Sequence, residues 1–246
     1  MKIILMLIFA ALPAAAADKA QSQATEPAEL AVPMELDSSS FNDDAESISA
    51  KIRRLIGESR KQKLVREMNS AQKDPAAAQK AMDTLASEDP AIKKEQPHVF
   101  EYYQGSIDFW KKDFEKAYVN FHTAIKTFNE KYPAGIPQGK FYEHNAAFVS
   151  DLYMGRGTTA MFLKEDAQAV KDMDTAISVS PKPRAYMHVN KTRALIRLKK
   201  YQEASAAYDK AYELDSKWTA ASSDRAAVCV IFGKKGLQPQ ACQLKN

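Results

Sequence analysis

The stretch Lys200-Tyr201-Gln202-Glu203-Ala204-Ser205-Ala206-Ala207-Tyr208-Asp209-Lys210-Ala211-Tyr212-Glu213-Leu214-Asp215 decides how the chain is read. Tyr201, Ala204, Tyr208 and Ala211 are spaced three, four and three residues apart, so they share one face of an α-helix. Small and bulky residues alternate on that face, the pattern of a helix that crosses a neighbour closely. Nine residues before Tyr201, Thr192 is the small residue of the helix that would be crossed. The same offsets recur upstream as Gly157, Asp166, Ala169, Met173 and Ala176, followed by Pro181. They recur again as Gly105, Phe114, Ala117, Phe121 and Ala124, and Ala78, Met82, Leu85 and Pro90 form a weaker fourth match. The period is 35 residues between the second and third copies and 52 between the first and second. An insertion is therefore expected near 128–140, as a loop from Phe128 to Gly139 that contains Pro133, Gly135 and Pro137.

This spacing resembles the tetratricopeptide repeat, a helix–turn–helix unit of about 34 residues. The third copy matches best. The first matches in Asp113-Phe114-Glu115-Lys116-Ala117, and the second has Asp166 where the motif wants an aromatic residue. Glu101 and Asp108 also depart, standing where large apolar residues belong. The resemblance implies an all-α, helix–turn–helix solenoid with a disordered N-terminal segment, three repeats covering 98–218 and a degenerate copy within the N-terminal helices at 44–97. Solenoid ends need closing helices. One is expected from Thr219 to Phe232 through Ala226, Val228 and Ile231, with a tail to residue 246 after Gly233 and Gly236, and another from Asp44.

Composition agrees with an all-helical reading. Only 8 of 246 residues are glycine, and 45% are hydrophobic at a mean hydropathy of -0.44. There is no G-x-G-x-x-G and no Walker-type lysine loop, so phosphate-cradling folds are disfavoured. Residues 1–17 read as a signal peptide: Lys2, an apolar run from Ile3 to Leu12, Pro13, then Ala14 to Ala17 at the cleavage positions. The run is too short to span a bilayer. The expectation is an exported protein, periplasmic or secreted.

The net charge of +4 hides a segregation. Residues 18–50 hold eight acidic residues against Lys19, whereas from Lys51 onward 33 basic residues face 23 acidic ones. The acidic run at 18–43, with Pro27, Pro33 and Ser38 to Ser40, reads as a solvated linker; folding back onto the basic body is the alternative. A helix beginning at Asp43 or Asp44 would place Ile48, Ile52, Leu55 and Ile56 on one face. Between Lys51 and Arg66 it carries seven basic residues and Glu58. It reads as a packed helix with a solvated basic face, or as a docking helix (46–66) for membrane or anionic polymer.

Cys229 and Cys242 would form a structural disulfide in an oxidising compartment; a buried thiol beside an exposed one is the alternative. His98, His122, His144 and His188 fall at no metal-binding spacing, and H-E-x-x-H, C-x-x-C and G-x-S-x-G are absent. Asp172 and Asp174 lie two apart on a helix and diverge, as do Glu143 and His144. No catalytic residue, metal or cofactor is expected. Nucleic acid is not an expected partner either, because the aromatics follow the helix phase instead of interleaving with basic residues.

Together with the expected export, the family resemblance implies a non-catalytic protein–protein interaction module of the bacterial cell envelope. A peptide or protein would bind the concave groove lined by the first helix of each repeat. Carried onto this chain, the lining stripe is Val99, Tyr103, Ser106 and Trp110; Asp151, Gly155, Thr158 and Phe162; and Tyr186, Asn190, Arg193 and Arg197. Spacings of four, three and four keep each set on one helical face. Arg193 and Arg197 would fork onto partner carboxylates, so their replacement is expected to weaken capture while leaving the fold intact.

Overall fold

The structure is a computed structural model that describes residue 60 and residues 63–135 and 142–243. The expected leader at 1–17, the expected acidic linker at 18–43 and the helix expected from Asp44 lie outside the described residues as far as residue 59, as do residues 61 and 62. So do 136–141 within the expected insertion, and the side chains of Glu143 and His144.

Every element among the described residues is helical. A helical stretch at 63–68 leads to α1 (Pro75–Glu88), the short α2 (Pro90–Glu95), α3 (Pro97–Trp110) and α4 (Phe114–Lys131). Then follow α5 (Tyr142–Phe162), α6 (Asp166–Val179), α7 (Ala185–Arg197), α8 (Tyr201–Leu214), α9 (Ser216–Ala220) and α10 (Arg225–Lys234). Starts are set locally. Pro75 and Pro97 occupy first-turn positions where no amide hydrogen is needed. The Asp74, Asp113 and Asp215 carboxylates accept backbone N–H groups of the first turns they cap.

The helices pack in consecutive pairs, α3 with α4, α5 with α6 and α7 with α8, and each pair packs on the next. Each pair is joined by the same turn. Lys112, Lys164 and Lys199 adopt φ of 66°, 66° and 61°. The next residue's N–H bonds back five residues, from Asp113 to Asp108 O (2.9 Å), Glu165 to Ala160 O (2.8 Å) and Lys200 to Leu195 O (2.9 Å). These are Schellman ends, in which the left-handed residue is usually glycine. A lysine held there costs about 1 kcal/mol relative to glycine.

Counting from the left-handed residue aligns the whole array. Seven positions earlier stand Gly105, Gly157 and Thr192; five positions later stand Ala117, Ala169 and Ala204, all fully buried. Gly105 and Gly155 clasp one ring: a Cβ on Gly105 would lie 3.1 Å from Phe121, and one on Gly155 only 2.6 Å from it. Gly157 is closed by Asp172, whose Cβ would stand 2.9 Å away. Thr192 instead uses its hydroxyl, which donates to His188 O at 2.8 Å.

Four features differ from the sequence reading. Helix α4 runs on to Lys131, so Phe128 is a buried helical residue and not the start of a loop. The long spacing between the first two repeats thus comes partly from an 18-residue α4 and a 21-residue α5. The single closing helix expected from Thr219 to Phe232 is two helices, broken between Ala220 and Arg225. Asp224 stands at the N-cap position of α10, and its carboxylate accepts from Ser222 and Arg193 instead of from the helix backbone. Of its expected core residues Val228 is buried and Ile231 half-buried, but Ala226 is exposed, and Phe232 fills the core instead.

The departing acids are paired. Asp108 is buried and accepts from Asn120 Nδ2 (2.8 Å) and Gln104 Nε2 (3.1 Å), while Glu101 accepts from Thr127 Oγ1 at 2.7 Å. Asp172 is buried in a two-pronged pair with Arg156, at 2.8 and 2.7 Å. Asp174, two residues on, points outward to Lys191. Cys229 and Cys242 are disulfide-bonded, with Cα atoms 5.4 Å apart. In the chain-entropy picture, closing a loop of this length contributes about 3 kcal/mol.

Alanine normally improves a helix by about 1 kcal/mol over glycine. At Gly155 the Phe121 ring reverses that sign. Gly155→Ala is expected to lower stability by about 1–3 kcal/mol, read as a lower urea midpoint at unchanged slope.

Candidate partner-binding site

The stripe expected along the first helices falls on one partly exposed face. Val99, Tyr103, Ser106 and Trp110 on α3 are half-buried, as are Asp151, Gly155 and Thr158 on α5 and Tyr186, Asn190 and Arg193 on α7. Phe162 and Arg197 end the last two sets as exposed residues. Helix α3 touches α5, and α5 touches α7, so the three sets lie on neighbouring helices.

At one end of the stripe, tyrosines gather around one carboxylate. Tyr103 meets Tyr102 edge-on at 5.4 Å and donates to Asn69 Oδ1 at 3.3 Å. Asp151 accepts from Arg184 at 3.0 Å, and the same guanidinium lies 4.8 Å over the Tyr186 ring. Burial pushes Tyr186 up to about 12, with the Asp151 charge adding to the shift. Tyr102 is raised in the same way, by burial first and then by Asp151. Burial also raises the Asp151 carboxyl, against the opposing pull of Arg184. These phenols remain neutral hydroxyls, able to donate and accept.

At the other end the aromatics face each other. Trp110 meets Phe109 edge-on at 5.2 Å, and Phe162 stacks on Phe114 at 4.5 Å with planes 13° apart. Ser106 returns its hydroxyl to Tyr102 O at 3.0 Å. Thr158 is the half-exposed centre of the stripe.

The two arginines expected to clamp a partner are engaged within the chain. Arg193 donates to Asp224 at 2.6 Å and to Asn190 Oδ1 at 2.9 Å. Burial opposes the Asp224 charge, but Arg193 and Ser222 outweigh it and hold that carboxyl below its ordinary range. Arg197 donates through Nε to Asp166 at 2.8 Å and through Nη2 to Met161 O at 3.1 Å. Arg197 thereby ties α7 to the start of α6, and Arg193 ties it to α10. Their placement is that of struts between repeats, which the stripe spacing alone does not reveal. Sequence reasoning also missed Tyr102 and Arg184. A usable signal existed: Arg184–Asp151, Arg193–Asp224 and Arg197–Asp166 are opposite charges 33, 31 and 31 residues apart, about one period.

Among the described residues no group of three or more His, Cys, Asp or Glu side chains could hold a metal ion. His98 is buried among Phe128, Tyr132 and Phe148, at ring separations of 5.5, 6.1 and 5.8 Å, and its Nδ1 has no hydrogen-bond partner. Burial, then the nearby Lys131, lowers it to about 4. A shallow cleft of about 520 Å³ on α4 and α5 is lined by His122, Lys126, Tyr153 and Arg156 among others. Its arginine already serves Asp172. Of the described part of the basic segment 46–66, Leu64 is buried with Met68 against α1 and α3, whereas Arg60, Lys63 and Arg66 are exposed, Arg60 pairing with Glu88.

Residues 185–217 match the family model of the tetratricopeptide repeat. No curated protein and no solved structure matches the chain. Residues 185–217 thus carry a tetratricopeptide repeat, and the two preceding helix pairs share its turn geometry.

Two outcomes follow from this geometry. Removing both struts with Arg193→Ala and Arg197→Ala leaves Asp224 and Asp166 unpaired, so stability falls by about 2–4 kcal/mol in denaturant titration, and an unchanged midpoint would contradict the assignment. His98 is lowered in the fold, so the unfolded chain binds more protons between about pH 6.5 and 4. Stability therefore declines as pH falls through that window, by roughly 2 kcal/mol, and His98→Leu flattens the profile.

Proposed function

We propose that this protein is a non-catalytic interaction module of the bacterial cell envelope, which holds a polypeptide along the stripe of its first helices. Tetratricopeptide repeats are generally protein–protein interaction modules. The observation that carries the reading is the run of partly exposed side chains from α3, α5 and α7, on one face of neighbouring helices.

The chemistry of that face defines what it would hold. Its cations are already balanced, Arg184 by Asp151, Arg193 by Asp224 and Arg197 by Asp166. A carboxylate clamp is therefore not what it offers. It offers neutral phenols at Tyr103 and Tyr186, the indole of Trp110 and the hydroxyl of Thr158. Such groups suit a polar backbone with apolar or aromatic anchors, since rings supply contact area at low entropic cost. Export is supported by the leader at 1–17 and by a disulfide, which persists in oxidising compartments.

Thr158→Arg places a long charged side chain at the centre of the stripe without touching the struts. Val119→Arg does the same on the exposed outer side of α4, where Val119 is 60% exposed. A crosslinker at position 158 is expected to capture a polypeptide in cells, and one at position 119 to miss it. The captured polypeptide then binds the purified protein at least about tenfold more weakly when Thr158 is Arg, and with unchanged strength when Val119 is Arg. Equal effects from both positions would sink the stripe as the binding face.

A further inference from the structure

The turns that join first to second helices carry a feature that polypeptide binding along the stripe leaves unexplained. Three of them place lysine in the left-handed region, where glycine is the favoured residue. Gly236, at φ 71°, occupies the same position after α10, where Leu237 N bonds back to Phe232 O at 3.0 Å. Glycine is thus compatible with this turn, yet Lys112, Lys164 and Lys199 stand in the other three. A cation near a helix C-terminus gains from the helix dipole. At the first and third turns the neighbouring Lys111 and Arg197 already supply that gain without positive φ. All three left-handed lysines are exposed, and none of their ammonium groups has a hydrogen-bond or ion-pair partner among the described residues.

These turns form one continuous edge. Phe114 after the first turn stacks on Phe162 before the second. Arg197 before the third turn bonds Asp166 after the second. Lys235 at the fourth lies 4.7 Å over the ring of Tyr201, which follows the third. Within the segments 110–113, 162–165, 197–200 and 234–237 there are eight basic residues and two acidic ones, Asp113 and Glu165. Asp113 is already paired with Lys116. Two apolar side chains project between the lysines: Phe162 is 38% exposed and Leu198 37%.

We propose that this edge docks on an anionic lipid surface. A row of unpaired lysines around a protruding ring and a leucine matches a charged plane with an apolar layer beneath it. The choice of cation supports a plane over a single carboxylate. The arginines at 156, 184, 193 and 197, whose forks suit defined carboxylates, are each engaged within the fold, and the unpaired cations are lysines, point charges on flexible stems. The strain carried at three turns is then the cost of keeping ammonium groups at the edge.

The same backbone geometry supplies a test in which misfolding is not the expected result. The triple variant Lys112→Gly, Lys164→Gly, Lys199→Gly puts the favoured residue in each turn and should melt at the wild-type temperature or above it. The full chain, purified as the cell processes it, is sedimented with vesicles of phosphatidylcholine alone and of phosphatidylcholine with about one-third phosphatidylglycerol. Wild type is expected to bind the anionic vesicles only, and the triple variant to lose about 100-fold in partitioning. Absence of wild-type binding overturns the proposal. Unchanged binding by the triple variant also overturns it, and moves the contact to the basic run 51–66. Lysine-dependent binding to polyglutamate of the same strength replaces the lipid with an acidic polypeptide. Thr158→Arg should leave vesicle binding intact, so failure of the stripe and failure of this edge are read separately.

Discussion

The close crossing of paired helices is the constraint from which the rest follows. Phe121 lies between Gly105 and Gly155, so one ring on α4 holds the first helices of two successive repeats at once. No side chain fits at either glycine without displacing that ring. On the opposite partner, Ala117, Ala169 and Ala204 leave equally little room and are fully buried. Small residues at a crossing let dispersion contacts accumulate over the whole length of both helices. Because the crossing repeats in one phase, the first helices come to lie side by side, and their outer residues become a stripe.

That phase is what made the fold readable. The offsets from Gly105 to Ala117, from Gly157 to Ala169 and from Thr192 to Ala204 are local, and the packing they imply needs no knowledge of distant residues. The loop begins later than expected for a physical reason. Pro133, Gly135 and Pro137 mark where a helix must end, but nothing before them forbids one, and Phe128 continues the buried face begun at Phe121 and Ala124. The closing helix was misread because Thr219 to Phe232 has no strong breaker. Its break is made by tertiary bonds, with Asp224 drawn to Arg193 on another helix.

The exposure of the candidate stripe was legible, and the engagement of its arginines was not. Periodicity places Tyr103, Thr158 and Tyr186 on the partly exposed face, since only the helix phase is needed for that. Whether a guanidinium on that face is spare depends on what stands about one repeat away. Arg197 finds Asp166 on α6 and Arg184 finds Asp151 on α5. In a stacked array, such offsets are the natural reach of an arginine, because neighbouring repeats present equivalent positions side by side. The aspartate that breaks the aromatic rule of the second repeat, Asp166, is thus the acceptor that ties the third repeat to it.

The same frame accounts for the cysteines. Counted from the left-handed residue, Cys229 occupies the place of Gly105, Gly157 and Thr192, and the fully buried Ala241 occupies that of Ala117, Ala169 and Ala204. Cys242 follows Ala241 directly. After α10 the position of a second helix is taken by a single 3-10 turn, Gln240–Cys242, too short to hold itself by packing. Arg225 bonds Ala241 O at 2.8 Å and Asp209 accepts from Gln240 N at 2.6 Å, yet these are few contacts beside those of a full helix pair. The disulfide lies at the crossing point itself, where the other repeats rely on small side chains and a long interface. A covalent bond there fixes the separation that glycine and alanine set elsewhere, and it lets Leu237 and Ala241 cover the core around Tyr208 and Phe232. The last repeat position is therefore closed by chemistry where the others are closed by packing.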